Sequence, residues 1–160
     1  MANHVAAVVL DFGQGPVTGF QMGGRDDLIP EMQKFAGELQ AFGNLDVDDD
    51  AEFGTDTGPF ILGGLPGINL NQDSPDYKYT HHSPADALEA VKSDILAQDT
   101  TLMALAAYWI ADRPERLASP WSPEKTVRML LAQHEDELLK AFGLWPKAFA
   151  DIERRDASSN

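Results

Sequence analysis

No cysteine occurs anywhere in the 160 residues. Disulfides, thiolate metal sites and cysteine nucleophiles are therefore excluded, and any metal ligands must come from histidine and carboxylate. Basic side chains are scarce too: 12 Lys and Arg stand against 26 Asp and Glu, a net charge of −14. Such a surface repels nucleic acid and anionic lipid, so neither is an expected partner. No apolar run is long enough to span a bilayer. The opening MANHVAAVVLDFG has no charged n-region and no small-residue cleavage site, so no signal peptide is read there and the compartment stays open. The sequence also lacks a serine nucleophile elbow, a phosphate-binding glycine loop and internal repeats.

What remains is enough for one domain with a real core. The run VAAVVL, Val5 to Leu10, suits a strand buried on both faces, as in a parallel sheet. Asp11 and FGQG follow it as a loop, and a second strand is expected from Val17 to Met22. Leu28, Met32, Phe35, Leu39 and Phe42 recur at steps of three and four, which predicts an amphipathic helix ended by Gly43, with Pro30 tolerated in its first turn. The acidic LDVDDDAEF reads as a solvated loop, and Gly67 to Leu70 as a short buried strand. Ser93 is positioned to cap a helix carrying Ile95, Leu102, Leu105 and Trp109. After SPWSP, a third helix carries Val127, Leu130, Leu131, Leu138 and Phe142, and GLWPKAF with a polar tail closes the chain. Strand and helix alternate, so the fold class is α/β: part of a mixed, mostly parallel sheet flanked by helices, with a helical C-terminal extension. The expected boundaries are 1–114 for the α/β part, 115–154 for the helical extension packed on it, and 155–160 for the polar tail.

Several polar residues carry both a chemical and a structural reading. Asp11 stands at the carboxyl end of a strand, where open α/β sheets bind ligands and a rigid carboxylate can hold a cation; it also suits a turn before Gly13. In YTHHSPAD, His82 and Asp86 are four residues apart. A neutral imidazole ligates metal well when a carboxylate fixes its tautomer. Asp86 equally suits the start of a helix near Pro84, and the whole stretch suits a polar turn. His81 is a neighbour or supporting group. Asp56, in GTDTGPF, fits a tight turn or a brace for a metal loop. Asp46, Asp48, Asp49, Asp50 and Glu52 offer calcium-type oxygens, but the spacing of an EF-hand loop is absent. His134 reads as a core-edge histidine, and His4 has no assigned role.

Three blocks, taken in order, change this picture: VAAVVLDFGQG, GTDTGPFILGGLPGINLNQDSPDYKYTHHSPAD, and the helix ending in AAYWIADRP. Together, over roughly residues 4 to 114, they resemble the C-terminal half of the co-catalytic di-zinc exopeptidases. That family includes bacterial aminopeptidases and, more distantly, glutaminyl cyclases, and the likeness is nearest to its carboxypeptidase Q (plasma glutamate carboxypeptidase) branch. The resemblance implies two zinc ions that polarise the scissile carbonyl and activate a water, so that a terminal residue is cleaved from a peptide substrate. It places Asp11 at the family's second aspartate ligand and His82 at its final histidine ligand, with Asp56, Asp86 and His81 in supporting positions. The family's H-x-D motif and adjacent glutamate pair lie upstream of that aspartate strand, and the ten residues before Asp11 hold neither. No catalytic residue is therefore expected in this chain. It is expected to be inactive alone, to bind zinc weakly or not at all, and to work with an N-terminal-half partner chain or by self-association. Complete family members are often secreted or periplasmic. The competing expectation is a non-catalytic interaction module that assembles through an exposed sheet edge or the C-terminal helices.

Overall fold

A computed structural model describes residues 3–158. Four strands form one sheet in the order β1-β4-β2-β3: β1 is Ala7–Val9, β2 Val17–Gln21, β3 Asp46–Asp48 and β4 Gly67–Gln72. Pairing is parallel for β1 with β4 and for β2 with β3, and antiparallel for β2 with β4, with a register shift between Val17 and Gly19. The sheet is thus mixed and mostly parallel, as the alternating pattern predicts.

β4 lies inside the sheet, and its GINL stretch is buried throughout. On one face, Ile68 and Leu70 join Phe20, Met22, Met32, Phe35, Leu102 and Ala106 in the main core. Helices α1 (Ile29–Glu38) and α4 (Ser93–Ala111) supply the far side of that core, through Met32 and Phe35 and through Leu102 and Ala106. On the other face, a short helix, α2 (Gly58–Leu62), presses Ile61 close to the Gly67 backbone. α1 stops at Glu38, and the Leu39–Phe42 stretch of the expected helix tightens into a 3-10 turn, Gln40–Phe42, before Gly43.

Several expectations need correction. The acidic run does not stay a loop: Asp46–Asp48 pairs with Gly19, Phe20 and Gln21 and becomes an edge strand. Its single apolar residue, Val47, packs on the main core while the flanking carboxylates keep contact with water. The third helix is two helices, α5 (Pro123–Ala132) and α6 (Glu135–Ala141), broken where His134 adopts φ 61°. His134 is exposed at that break and is not a core-edge residue. Finally, α7 (Lys147–Ala157) makes residues 155–157 helical. It presents Phe149 and Ile152 to Val127, Leu130 and Leu139, and these five form a second, separate apolar cluster. Between β4 and α4 lie one short helix, α3 (Tyr77–Thr80), and a 3-10 turn, Leu88–Ala90; no helix opens at Asp86. Among the described residues, no helix is long and apolar enough to cross a membrane.

Candidate functional site

β1 ends at Val9, and the chain then turns sharply through residues 10–16 before β2 begins. Two polar side chains hold that turn, Gln72 at the last position of β4 and Ser74 just past it. The Phe12 N–H donates to Gln72 Oε1 at 3.2 Å, and Gln72 Nε2 donates to the Gly15 carbonyl at 2.8 Å. Ser74 Oγ accepts from the N–H groups of Gln14 and Gly15, at 3.1 and 2.8 Å. The approach is so close that a Cβ on Gly15 would fall 1.7 Å from the Asp73 carbonyl oxygen, which is why a residue without a side chain stands there. Below the turn, the buried carboxylate of Asp99 on α4 accepts from the Val17 N–H at 2.9 Å and from Gln72 Nε2 at 3.2 Å. Asp11 is therefore carried on a backbone pinned from the sheet and from a helix, and its own side chain is exposed.

The histidine loop is fixed by a different device. Ser83 Oγ donates toward the carbonyls of Tyr79 and Thr80, both at 2.9 Å, and accepts from the Ala85 N–H at 3.2 Å. These bonds close the chain around His82, whose φ of 52° lies in the left-handed region that non-glycine residues seldom occupy. The rings of Tyr77 and His81 stack at 4.6 Å, and those of His81 and His82 at 3.8 Å.

These two loops face one cleft of about 430 Å³. Asp11, Gln14, Tyr77, His81, His82 and Asp86 are on its wall. Asp86 accepts from Gln14 Nε2 at 2.9 Å, so it ties the histidine loop to the Asp11 loop. The cleft is electrostatically negative. Burial, followed by the charges of Asp11, Glu52 and Asp86, pushes the Tyr77 hydroxyl above its ordinary range, so it stays a neutral donor at pH 7. Asp56 is exposed and does not line the cleft. The bracing in its turn runs through its neighbours instead: Thr55 Oγ1 donates to Asn69 Oδ1 at 2.9 Å, and Asn69 Nδ2 reaches Gln21 at 3.2 Å.

Among the described residues, no three His, Asp or Glu side chains stand close enough to hold a metal ion. A catalytic zinc normally keeps three protein ligands. The donors among the described residues therefore do not by themselves fit a zinc ion, and the cleft offers a negative, hydrogen-bonding surface.

The sequence reading missed Gln72, Ser74 and Asp99, which position the Asp11 loop. Asp99 left a readable signal: it lies four residues after Ile95 and three before Leu102, so it is a carboxylate set in the apolar stripe of α4 and must find buried donors.

No protein-family model matches the chain. It is similar to carboxypeptidase Q of Rattus norvegicus, 34% identical over 107 residues that cover 67% of this chain and 22% of the relative. The Mus musculus carboxypeptidase Q is 31% identical over 107 residues, which cover 67% of this chain and 23% of that relative. The fold matches the crystal structure of a peptidase M28 precursor from Shewanella amazonensis with a TM-score of 0.61 and 26% identity, covering 76% of this chain and 27% of that one. The chain thus spans under a quarter of the length of these two curated relatives.

Proposed function

Because the chain carries a partial region of the zinc-exopeptidase family, we propose that it supplies one wall of a metallopeptidase cleft, with Asp11 and His82 as that wall's metal donors. The observation that carries this reading is that both residues, 71 positions apart, line the same cleft, each on a loop with its own set of hydrogen bonds. Asp86 and His81 act there as supporting groups, Asp86 by joining the two loops and His81 by stacking on His82. The substrate is a peptide cleaved at a terminal bond. In this reading the remaining metal donors come from another polypeptide, and the chain alone does not cleave the substrate.

Equilibrium dialysis of the full chain against zinc, together with a peptide-release assay, tests this. The chain alone is expected to retain no stoichiometric zinc and to release nothing. Mixed with zinc and a polypeptide bearing the family's H-x-D and paired-glutamate segment, it is expected to gain hydrolysis that Asp11→Asn and His82→Ala each abolish. A reconstituted mixture that stays silent, or that works equally well with either variant, overturns the reading.

A second reading, assembly through the sheet edge, rests on β1. This strand occupies the sheet border, and every residue from Val5 to Leu10 is half-buried. A groove of about 480 Å³ runs beside it between Val5, Val8, Ile110 and Arg113. The buried Nε of Arg113 has no hydrogen-bond acceptor among the described residues. An apolar border strand of this kind pairs readily with another strand. Light scattering that shows a monomer across the accessible concentration range, with β1 amides exchanging freely, removes self-association.

A further inference from the structure

The Asp11–His82 cleft is not isolated. Gly54 belongs to its wall and also to the wall of a second hollow, about 270 Å³, lined by Phe53, Leu138, Leu139, Phe142 and Leu144 with Glu52 at its rim. The hollow is apolar apart from that one carboxylate. Three of its side chains are left substantially in water: Phe142 is 72% exposed, Leu144 57% and Leu138 47%. Leu139, by contrast, is fully buried and fixes the floor. Exposed side chains of this size gathered around one hollow are what a binding surface leaves uncovered.

Two observations connect the hollow to the cleft. The ridge between them is Gly54, which has no side chain to raise it, and the Glu52 carboxylate folds back to accept from the Gly54 N–H at 2.5 Å. A Cβ at that position would meet Glu52 Oε1 at 2.8 Å. The charge of Glu52 is also felt across the ridge, where it contributes to raising the Tyr77 hydroxyl in the cleft. A chain lying in the cleft therefore has a low step into the hollow. The volume is below that of a typical whole-ligand pocket and suits a single side chain.

We propose that this hollow is a side-chain pocket that selects peptides with a large apolar residue, aromatic or leucine-like, next to the backbone held in the cleft. The proposal rests on the peptidase reading above. It gives the C-terminal helices a role in selectivity: α6 and the turn after it provide the greasy wall, and the 52–54 segment provides the other. Glu52 at the rim disfavours an acidic side chain at the same position.

The test uses the ¹⁵N-labelled full chain titrated with the blocked dipeptides acetyl-Ala-Phe-amide and acetyl-Ala-Ala-amide. The Phe peptide is expected to shift the amides of Phe53, Gly54 and Phe142 along with those of Gly13 and Tyr77. The Ala peptide is expected to shift only Gly13 and Tyr77. Phe142→Ser, at a largely exposed site that leaves folding intact, is expected to weaken the Phe peptide about fivefold and leave the Ala peptide unchanged. Cleft shifts with both peptides but a silent hollow overturn the pocket and leave the peptidase reading standing. Hollow shifts with a silent cleft overturn the link between them, and the pocket with it, while the peptidase reading is decided by the reconstituted mixture. Concentration-dependent broadening at Leu138 and Phe142 without any peptide assigns the hollow to a second copy of the chain and also overturns the proposal.

Discussion

The sheet region and the C-terminal helices bury their apolar side chains in different ways. In the first, Phe20, Ile68 and Leu70 of a four-stranded sheet pack against two helices, and polar groups at the strand ends are tied down by hydrogen bonds to Gln72 and Asp99. In the second, five buried side chains are shared by three short helices, and several large apolar neighbours stay in water. The first region has the geometry of a site that must hold polar groups still. The second has the geometry of a wall that offers greasy surface. One buried cation joins them: Arg25 chelates Asp27 with two bonds of 2.8 Å, donates to the Gly64 carbonyl at 3.3 Å, and lies 4.6 Å from the ring centroid of Trp121, at the entrance to α5.

The strongest test of that contrast is to hollow out each cluster. Phe20→Ala is expected to cost about 3–5 kcal/mol, near the whole stability of many domains, and to unfold sheet and helices together. Leu130→Ala, at an equally buried position in the helical cluster, is expected to cost about 2–4 kcal/mol. Its loss of hydrogen-exchange protection should be confined to α5, α6 and α7. If both variants unfold the chain as one unit with one midpoint, the two clusters are a single cooperative body and the comparison fails.

Arg25→Met comes next. It keeps the bulk but removes the guanidinium, leaving the Gly64 carbonyl and the Asp27 carboxylate without their donor. Asp27 is partly exposed and can rehydrate, so about 2–3 kcal/mol is expected in urea titration. The sharper readout is the Trp121 indole, whose fluorescence should report a loosened joint while β4 amides keep their protection. An unchanged Trp121 signal would mean that Arg25 serves the Asp27 turn alone.

Asp99→Ala targets the polar scaffold. It orphans the buried Val17 N–H and frees Gln72, at about 1–3 kcal/mol. Exchange at Phe12 and Gly15 should quicken, and amides in the second cluster should not move. The sequence shows half of this arrangement. VAAVVL, the 28–42 periodicity and the α4 stripe are apolar patterns long enough to declare their elements. β3 was hidden because three residues with one valine look like any acidic loop until Gly19–Gln21 offers a partner. The α5–α6 break was hidden because Leu131 and Leu138 keep helical spacing across it, so periodicity runs on while the backbone does not. At the site, Asp11 and His82 stood out by motif, whereas Asp56 stood out by motif and is exposed outside the cleft. The residues that hold the loops still are glutamine, serine and a buried aspartate, types that carry no pattern of their own until their partners arrive in space.

Acidification separates two carboxylates by sign. Arg25 holds the Asp27 carboxyl below the usual range, so its contribution is present above the unfolded value near 4 and is lost as pH falls through the lower folded value. Burial pushes Asp48 up, reinforced by the Asp50 and Asp49 charges, so the folded state takes up its proton first and gains stability as pH falls toward 4. Urea midpoints measured from pH 7 downward are expected to show a shallow rise followed by a fall. Asp48→Asn should erase the rise, and Arg25→Met should blunt the fall. A rise that survives in Asp48→Asn would assign it to another acid, for which Glu135, also raised by burial and by Glu52 and Asp50, is the next candidate.

The smallest expected effect concerns the two left-handed histidines, one in each region. His82 at φ 52° stands in the cleft, in a turn clamped by Ser83, while His134 at φ 61° stands exposed between α5 and α6 with its backbone N–H bonded to the Leu131 carbonyl at 3.3 Å. A side chain in this region costs roughly 1 kcal/mol that glycine does not, offset in part by the greater freedom of glycine in the unfolded chain. His134→Gly is therefore expected to stabilise by about 0.5 kcal/mol and to leave every cleft amide where it was. If His134→Gly destabilises instead, its imidazole makes a contact worth more than the strain, and the α5–α6 break is held by that contact. If it stabilises as expected, the left-handed turn at His134 is a connector in which any residue pays for its Cβ. His82 would then differ in kind: the same backbone cost is retained at a side chain that faces the cleft.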